Sequence, residues 1–225
     1  MSDKTTRFDV IKLKLTTAIS YLLPFVASLP PLAAWGGLMT VPFIIYLFMM
    51  FSNISTYPPL PDFTRPGTLL MFTFAGVGLI LLLYSAVYLW RNKSAGLVTG
   101  GPYRLCRHPQ YFSLIIVTLV MTYQSLWILQ YTFGMGWLTA NETRILWVLM
   151  LCAYVVIAWI EEMHLEKQFG QEWTDYRRGR GFLLPSLYFN SYILEALIAI
   201  IIPYLVLEAW LSLAPPIPVE ALIIL

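Results

Sequence analysis

TLLMFTFAGVGLILLLYSAVYLW, Thr68 to Trp90, runs for 23 residues without a charge. A helix needs roughly 20 predominantly apolar residues to cross the hydrocarbon of a bilayer, so this run reads as a membrane span. Further apolar runs fall near 15–33, 34–51, 110–131, 143–160 and 187–213. Composition agrees with them: of 225 residues 59% are hydrophobic and 12% charged, and the mean hydropathy is +0.71, beyond the range of a soluble domain. The chain reads as an all-α, polytopic membrane helical bundle of five or six transmembrane helices, with the lipid bilayer as its first partner.

The amino end, MSDKTTRFDVIKLK, is charged and leads into a long apolar stretch rather than a short one with a small-residue cleavage site, so no cleavable signal is expected. A formal net charge of +2 gives no footprint for nucleic acid. The basic residues matter by position. Arg91, Lys93, Arg104 and Arg107 precede the fourth run, Lys167, Arg177, Arg178 and Arg180 follow the fifth, and the turn between those runs, Phe133 to Thr143, carries only Glu142. The positive-inside rule puts both basic loops in the cytoplasm. Lys4, Arg7, Lys12 and Lys14 also ask to be inside, yet six spans would place the amino end outside. Pro24, Pro30 and Pro31 leave three arrangements open for that region: a tight hairpin, a re-entrant pair or one bent span.

No repeat or Ser/Gly-rich linker divides the chain, which reads as one domain over 1–225, with a core near 68–185, amino-terminal helices over 12–51 and a carboxy-terminal helix at 187–213. Cys106 and Cys152 offer neither a disulfide framework nor a CxxC pair. His108 and His164 are too few and too far apart to make a metal site by spacing, so none is expected. No obligate protein partner is evident either. The prolines of Ser52 to Gly67 predict a rigid connector, and the tail APPIPVEALIIL is too short to span.

Two polar islands interrupt the apolar runs. The first, Arg91 to Pro109, contains Gly96, Gly100, Gly101 and Pro102, which mark turns and allow close backbone approach to a ligand. The second, Glu161 to Pro185, begins as a continuation of the fifth span. Gly170 is the expected stop of that helix. A short amphipathic helix, roughly Gln171 to Arg178, follows, with Trp173 and Tyr176 facing lipid or protein. Both islands are expected on one side of the membrane.

Proline suits the first turn of a helix, where its missing N–H costs nothing, so Pro109 starts the fourth span with His108 at the cap. The amides of Gln110, Tyr111 and Phe112 then form an anion seat, reinforced by Arg104 and Arg107, although each arginine read alone is equally a headgroup anchor. Glu161 and Glu162 end LMLCAYVVIAWIEE, where carboxylates beside hydrocarbon usually face a cavity or a partner charge. Adjacent helical residues point about 100° apart, so one of the two is expected to face in. His164 reads as structural or interfacial. An anion seat beside a carboxylate suits a zwitterionic ligand such as an amino acid moiety.

At these residues the chain resembles the integral-membrane methyltransferases typified by isoprenylcysteine carboxyl methyltransferase, with the phospholipid methyltransferases as close relatives. The matching motifs are G-P-Y-R-x-x-R-H-P-x-Y at Gly101 to Tyr111 and E-E-x-x-L-x-x-x-F-G-x-x-W-x-x-Y at Glu161 to Tyr176, closed by Leu184 and Pro185. The resemblance covers roughly 95–185. It implies a helical bundle with a cytosolic-facing pocket for S-adenosylmethionine and a lipid-facing route for an amphipathic acceptor. It places cofactor contacts on Gly96, Leu97 and Val98, on Tyr103, on His108, Pro109, Gln110 and Tyr111, and on Glu161. The cofactor's carboxylate would then lie near the helix entry and its ammonium against Glu161, with Tyr103 and Tyr111 lining the sulfonium or adenosine.

One position departs from that pattern. The isoprenylcysteine enzymes carry an arginine one turn before the glutamate that matches Glu161, and this chain has Ile157 there. A carboxylate acceptor loses its expected partner unless Arg107, Arg177 or Arg178 substitutes, and a phospholipid amine or a thiol gains ground as acceptor. Two other readings stand beside the methyltransferase: an NADPH-dependent membrane reductase of sterol or isoprenoid double bonds, which shares a carboxy-terminal architecture of this kind, and a non-enzymatic membrane scaffold whose islands anchor at headgroups.

Overall fold

A computed structural model describes residues 31–51, 66–131 and 138–213, with side chains over 38–50, 69–127 and 138–213. The charged amino end, the run at 15–30, the connector at 52–65 and the tail at 214–225 lie outside the described residues. Among the described residues six α-helices follow in order: α1 (Pro31–Phe51), α2 (Pro66–Asn92), α3 (Pro109–Tyr131), α4 (Ala140–Phe169), α5 (Gln171–Arg177) and α6 (Tyr192–Leu213). Short 3-10 turns at Lys93–Ala95 and Gly101–Arg104 lie between α2 and α3. There is no strand among the described residues, only an isolated bridge between Cys106 and Gly181.

By contact the chain divides into two units, 1–41 and 42–225. Of the first, the described residues 31–41 are helical throughout. The second holds α2 to α6 and every side chain treated below.

Among the described residues three helical segments are long and apolar enough to cross a membrane: Leu69–Ala95, Ala140–Phe169 and Tyr192–Leu213. Their burial separates their roles. Of the apolar window in the first, 11% is buried, against 44% for the window in α4. The side chains of Leu69, Leu70, Ile80, Leu83 and Trp90 along α2, and of Ile193, Leu197 and Leu205 along α6, are exposed. An apolar surface this extensive is what lipid, rather than water, solvates.

α3 and α4 make the centre. Gly78 lets α2 lie close on α3: a methyl there would meet Val117 Cγ2 at 2.9 Å and the Ser113 carbonyl at 3.3 Å, the small-residue contact by which membrane helices approach. Hydroxyls join the interior where no water competes. Trp147 Nε1 donates to Thr118 Oγ1 at 3.1 Å, and the Tyr46 and Thr122 hydroxyls lie 2.8 Å apart.

The helix boundaries follow from single residues. Pro109 opens α3, and the Phe112 amide already reaches the His108 carbonyl at 3.1 Å. Thr139 opens α4 through a capping box: its backbone N–H donates to Glu142 Oε2 at 2.7 Å, and its hydroxyl accepts from the Glu142 amide at 3.3 Å. Gly170 closes α4 with a φ of 52°, in the left-handed region that favours glycine. The expected stop and the short helix after it are both found.

Candidate functional site

The two polar islands close on each other. The Arg107 amide donates to the Gly181 carbonyl at 2.9 Å, the Tyr176 hydroxyl to the Tyr103 carbonyl at 2.8 Å, and Arg180 Nη1 to the Arg104 carbonyl at 2.6 Å. The second island turns tightly after this contact because residue 181 is glycine, where a Cβ would collide with the Leu184 carbonyl. Trp173, on α5, is buried in the same junction, so it faces protein.

Inside the junction sits a cluster of charges. His108 is 2% exposed, and both of its ring nitrogens face carboxylates: Nε2 lies 3.1 Å from Glu162 Oε1, and Nδ1 lies 3.4 Å from Glu161 Oε2. Arg107, whose side chain is closed to solvent, donates from Nη1 to Glu162 Oε2 at 3.2 Å and from Nη2 to Glu195 Oε2. Glu195 also receives the Phe189 amide at 3.2 Å, and Arg177 Nη2 lies 3.8 Å from it. The Arg177 guanidinium stacks 3.5 Å from the Tyr192 ring, and that of Arg107 lies 5.2 Å from Phe182.

Tyr111 donates to Glu161 Oε2 at 3.2 Å, with its ring tilted against His108 and Tyr154. Gln110 Nε2 donates to the Tyr103 hydroxyl. Pro109 is buried at the start of α3. Of the residues picked out in sequence, Tyr103, His108, Pro109, Gln110, Tyr111 and Glu161 therefore lie in one neighbourhood. Gly96, Leu97 and Val98 do not share its polar contacts: they sit exposed or half-exposed between the two short turns, and no hydrogen bond or ion pair among the described residues ties them to His108.

Three features differ from expectation. Both carboxylates serve His108, because their 100° separation on α4 lets them straddle the ring; Glu162 is the buried one, and Glu161 keeps 26% of its side chain open. The arginines do not form an open anion seat. Arg107 is committed to Glu162 and Glu195, while Arg104 is exposed. Glu195 was not singled out in the sequence, although an acid in the first turn of an apolar span is costly without a partner, and that cost was the available signal.

Electrostatics follow from this packing. Burial by itself pushes the His108 imidazole down, but hydrogen bonds and charge from Glu161 and Glu162 reverse the effect and raise it to about 9. Burial pushes the Cys106 thiol up to about 12, so it stays neutral and unreactive at physiological pH. No group of three or more His, Cys, Asp or Glu that could hold a metal ion occurs among the described residues.

A second ion pair lies at the other end of the bundle. Arg144 Nε donates to Glu208 Oε1 at 2.7 Å, beside a cavity of about 390 Å³ lined by Leu126, Ala140, Leu211 and Ser212. Along α4, Arg144 and Glu161 are separated by about 26 Å at 1.5 Å per residue, close to the ~30 Å thickness of bilayer hydrocarbon.

The comparisons leave this geometry to speak alone: no family model, curated protein or solved structure matches the chain.

Proposed function

We propose that the chain is a multi-pass, membrane-embedded methyltransferase of five or six spans that uses S-adenosylmethionine, with its site facing the cytoplasm. The observation that carries this reading is the pairing of His108 with Glu161 at the junction of the two islands. Glu161 is the carboxylate of the cluster with open surface, and it is flanked by the Tyr111 ring and hydroxyl. A carboxylate and an aromatic face together suit the ammonium or sulfonium of such a ligand.

When bound, the cofactor supplies an electrophilic methyl group on a sulfonium, whose sulfur leaves as a neutral thioether as the acceptor's lone pair takes the methyl. The protein therefore needs position and dryness more than an acid. Glu161 would bind and orient the cation, Glu162 and Arg107 would hold His108 in place, and the exposed backbone at Gly96 to Val98 would supply close approach for the rest of the ligand. The acceptor is lipidic or small: a prenyl-cysteine carboxylate, a phospholipid amine or a thiol. Burial of Ile157, together with the commitment of Arg107 and Arg177 to Glu195, argues for the amine or thiol over the carboxylate.

The scaffold reading fares worse, because Arg107 and His108 are buried in protein and so cannot anchor at headgroups. The deciding experiment is calorimetry of the detergent-solubilised chain with S-adenosylhomocysteine and with NADPH. The expected result is binding of the first and not the second, weakened at least tenfold by Glu161→Ala. Methyl-labelled cofactor incubated with membranes, then separated into lipid, protein and volatile fractions, identifies the acceptor.

A further inference from the structure

One buried charge in the cluster belongs to no motif of either island. Glu195 comes from the first turn of α6, its side chain is 1% exposed, and it lies 88 positions from the arginine it holds. It belongs to an unbroken alternation of sign: Arg177, Glu195, Arg107, Glu162, His108, Glu161. Each inner member faces an opposite charge on two sides.

We infer that Glu195 is a positioning residue that keeps His108 doubly protonated, by occupying one arm of Arg107 so that Glu162 stays divided between Arg107 and His108. The geometry requires the two parts together. Both imidazole nitrogens face carboxylate oxygens, and a neutral ring would turn a lone pair toward one of them. Arg107, Arg177 and an imidazolium supply three positive charges, and Glu161, Glu162 and Glu195 three negative ones, so the cluster is neutral only with the proton on. Without the Glu195 charge, Arg107 turns its freed Nη2 to Glu162, whose carboxylate suits a two-pronged grip. Glu162 is then drawn toward Arg107, and its hold on His108 Nε2 weakens.

The groups that face His108 come from three sides, and the two carboxylates outweigh burial and the neighbouring cation. Around His108 stand Glu161 and Glu162 of α4, Tyr111 of α3, Phe182 from the segment before α6, and Arg107 and Cys106 of its own loop, Cys106 accepting the His108 backbone amide. Around Glu195 stand Arg107, Arg177 and the Phe189 amide. The carboxylates alone favour the ring proton. The inference concerns the protonation of the site and does not depend on which ligand occupies it.

The test is a titration of the two histidine ring signals by NMR, with histidine-labelled full-length chain in detergent and His164→Gln to assign them. In the wild type the His108 midpoint should lie well above the ordinary 6.5. Glu195→Gln should lower it by about one pH unit or more, and Glu195→Asp should restore most of the loss. Arg177→Gln removes a cation that draws on Glu195 without touching His108, and should leave the midpoint unchanged or raised. A general loosening of the junction would lower it in both variants. The inference is overturned if Glu195→Gln leaves the midpoint in place, or if Arg177→Gln lowers it as well; should Glu195→Gln not fold, Glu195→Asp takes its place, where a small drop supports the inference and a midpoint no lower than in the wild type overturns it.

Discussion

Arg107 Nη1 lies 3.2 Å from Glu162 Oε2, and neither side chain reaches solvent. A buried pair of this kind adds little over an apolar replacement of both, but removal of one partner strands the other charge. Glu162→Ala should therefore cost about 3–5 kcal/mol. Glu161→Ala, one residue earlier and partly open, should cost about 1–2 kcal/mol while removing most ligand affinity. Denaturant unfolding in a fixed detergent, beside ligand calorimetry, separates the two. Equal destabilisation by both changes would mean that the division between a structural and a binding carboxylate is wrong.

That division shows what the sequence could carry and where it stopped. Apolar runs at 68–90, 110–131 and 187–213 marked α2, α3 and α6 to within five residues at either end, because lipid imposes length and hydropathy on a span directly, while the run at 143–160 marked the apolar part of α4, which continues through the second island to Phe169. Pro109 and Gly170 marked helix ends because each is a backbone constraint readable at one position. That Glu161 and His108 belong to one neighbourhood was legible for a similar reason, as polar residues beside hydrocarbon need partners, but the sequence set a ligand between them and not the direct 3.4 Å contact. Glu195 and the embrace of Arg107 were not, since which charge meets which across 88 positions depends on how α6 returns to the junction. Gly96 to Val98, expected at the cofactor through resemblance alone, show no polar contact that joins them to the cluster.

Stability should depend on pH through His108. Its folded value of about 9 lies above the ordinary 6.5, so its contribution is fully present below about pH 6.5 and is lost as pH rises through about 9. The difference corresponds to something on the order of 3 kcal/mol. The denaturation midpoint should accordingly fall between pH 6.5 and 9.5, and His108→Gln, less stable throughout, should show a flatter profile. A wild-type profile as flat as that of the variant would place the proton elsewhere.

Two glycines in the second island should respond differently to the same added methyl. At Gly170 a Cβ meets nothing within 4 Å, and the φ of 52° is the whole penalty, about 1 kcal/mol. At Gly181 the Cβ would collide with the Leu184 carbonyl and lie 3.1 Å from the Leu187 amide. Backbone on that side cannot yield without opening the hydrogen bond from Arg107, so Gly181→Ala should cost about 3 kcal/mol. Thermal unfolding of the two alanine variants should rank them in that order.

The charges at the ends of α4 make the topology testable. Arg144 pairs with Glu208 at one end, Glu161 and Glu162 meet the basic islands at the other, and about 26 Å of helix lies between. If α4 spans the bilayer, the two ends face different compartments, with the end rich in Arg177, Arg178 and Arg180 in the cytoplasm. Single cysteines at Asn141 and Arg178, in a chain whose Cys106 and Cys152 are replaced by alanine, should then react with an impermeant maleimide from opposite sides of sealed vesicles. Residue 141 should label from the outside of intact cells, and residue 178 only after permeabilisation. Both positions are exposed, and the Arg178 side chain pairs with exposed Asp175 at 3.6 Å, so neither substitution reaches the core or the Thr139–Glu142 cap. Labelling of both from one side would remove α4 as a span, and with it the assignment of the His108 cluster to the cytoplasmic surface.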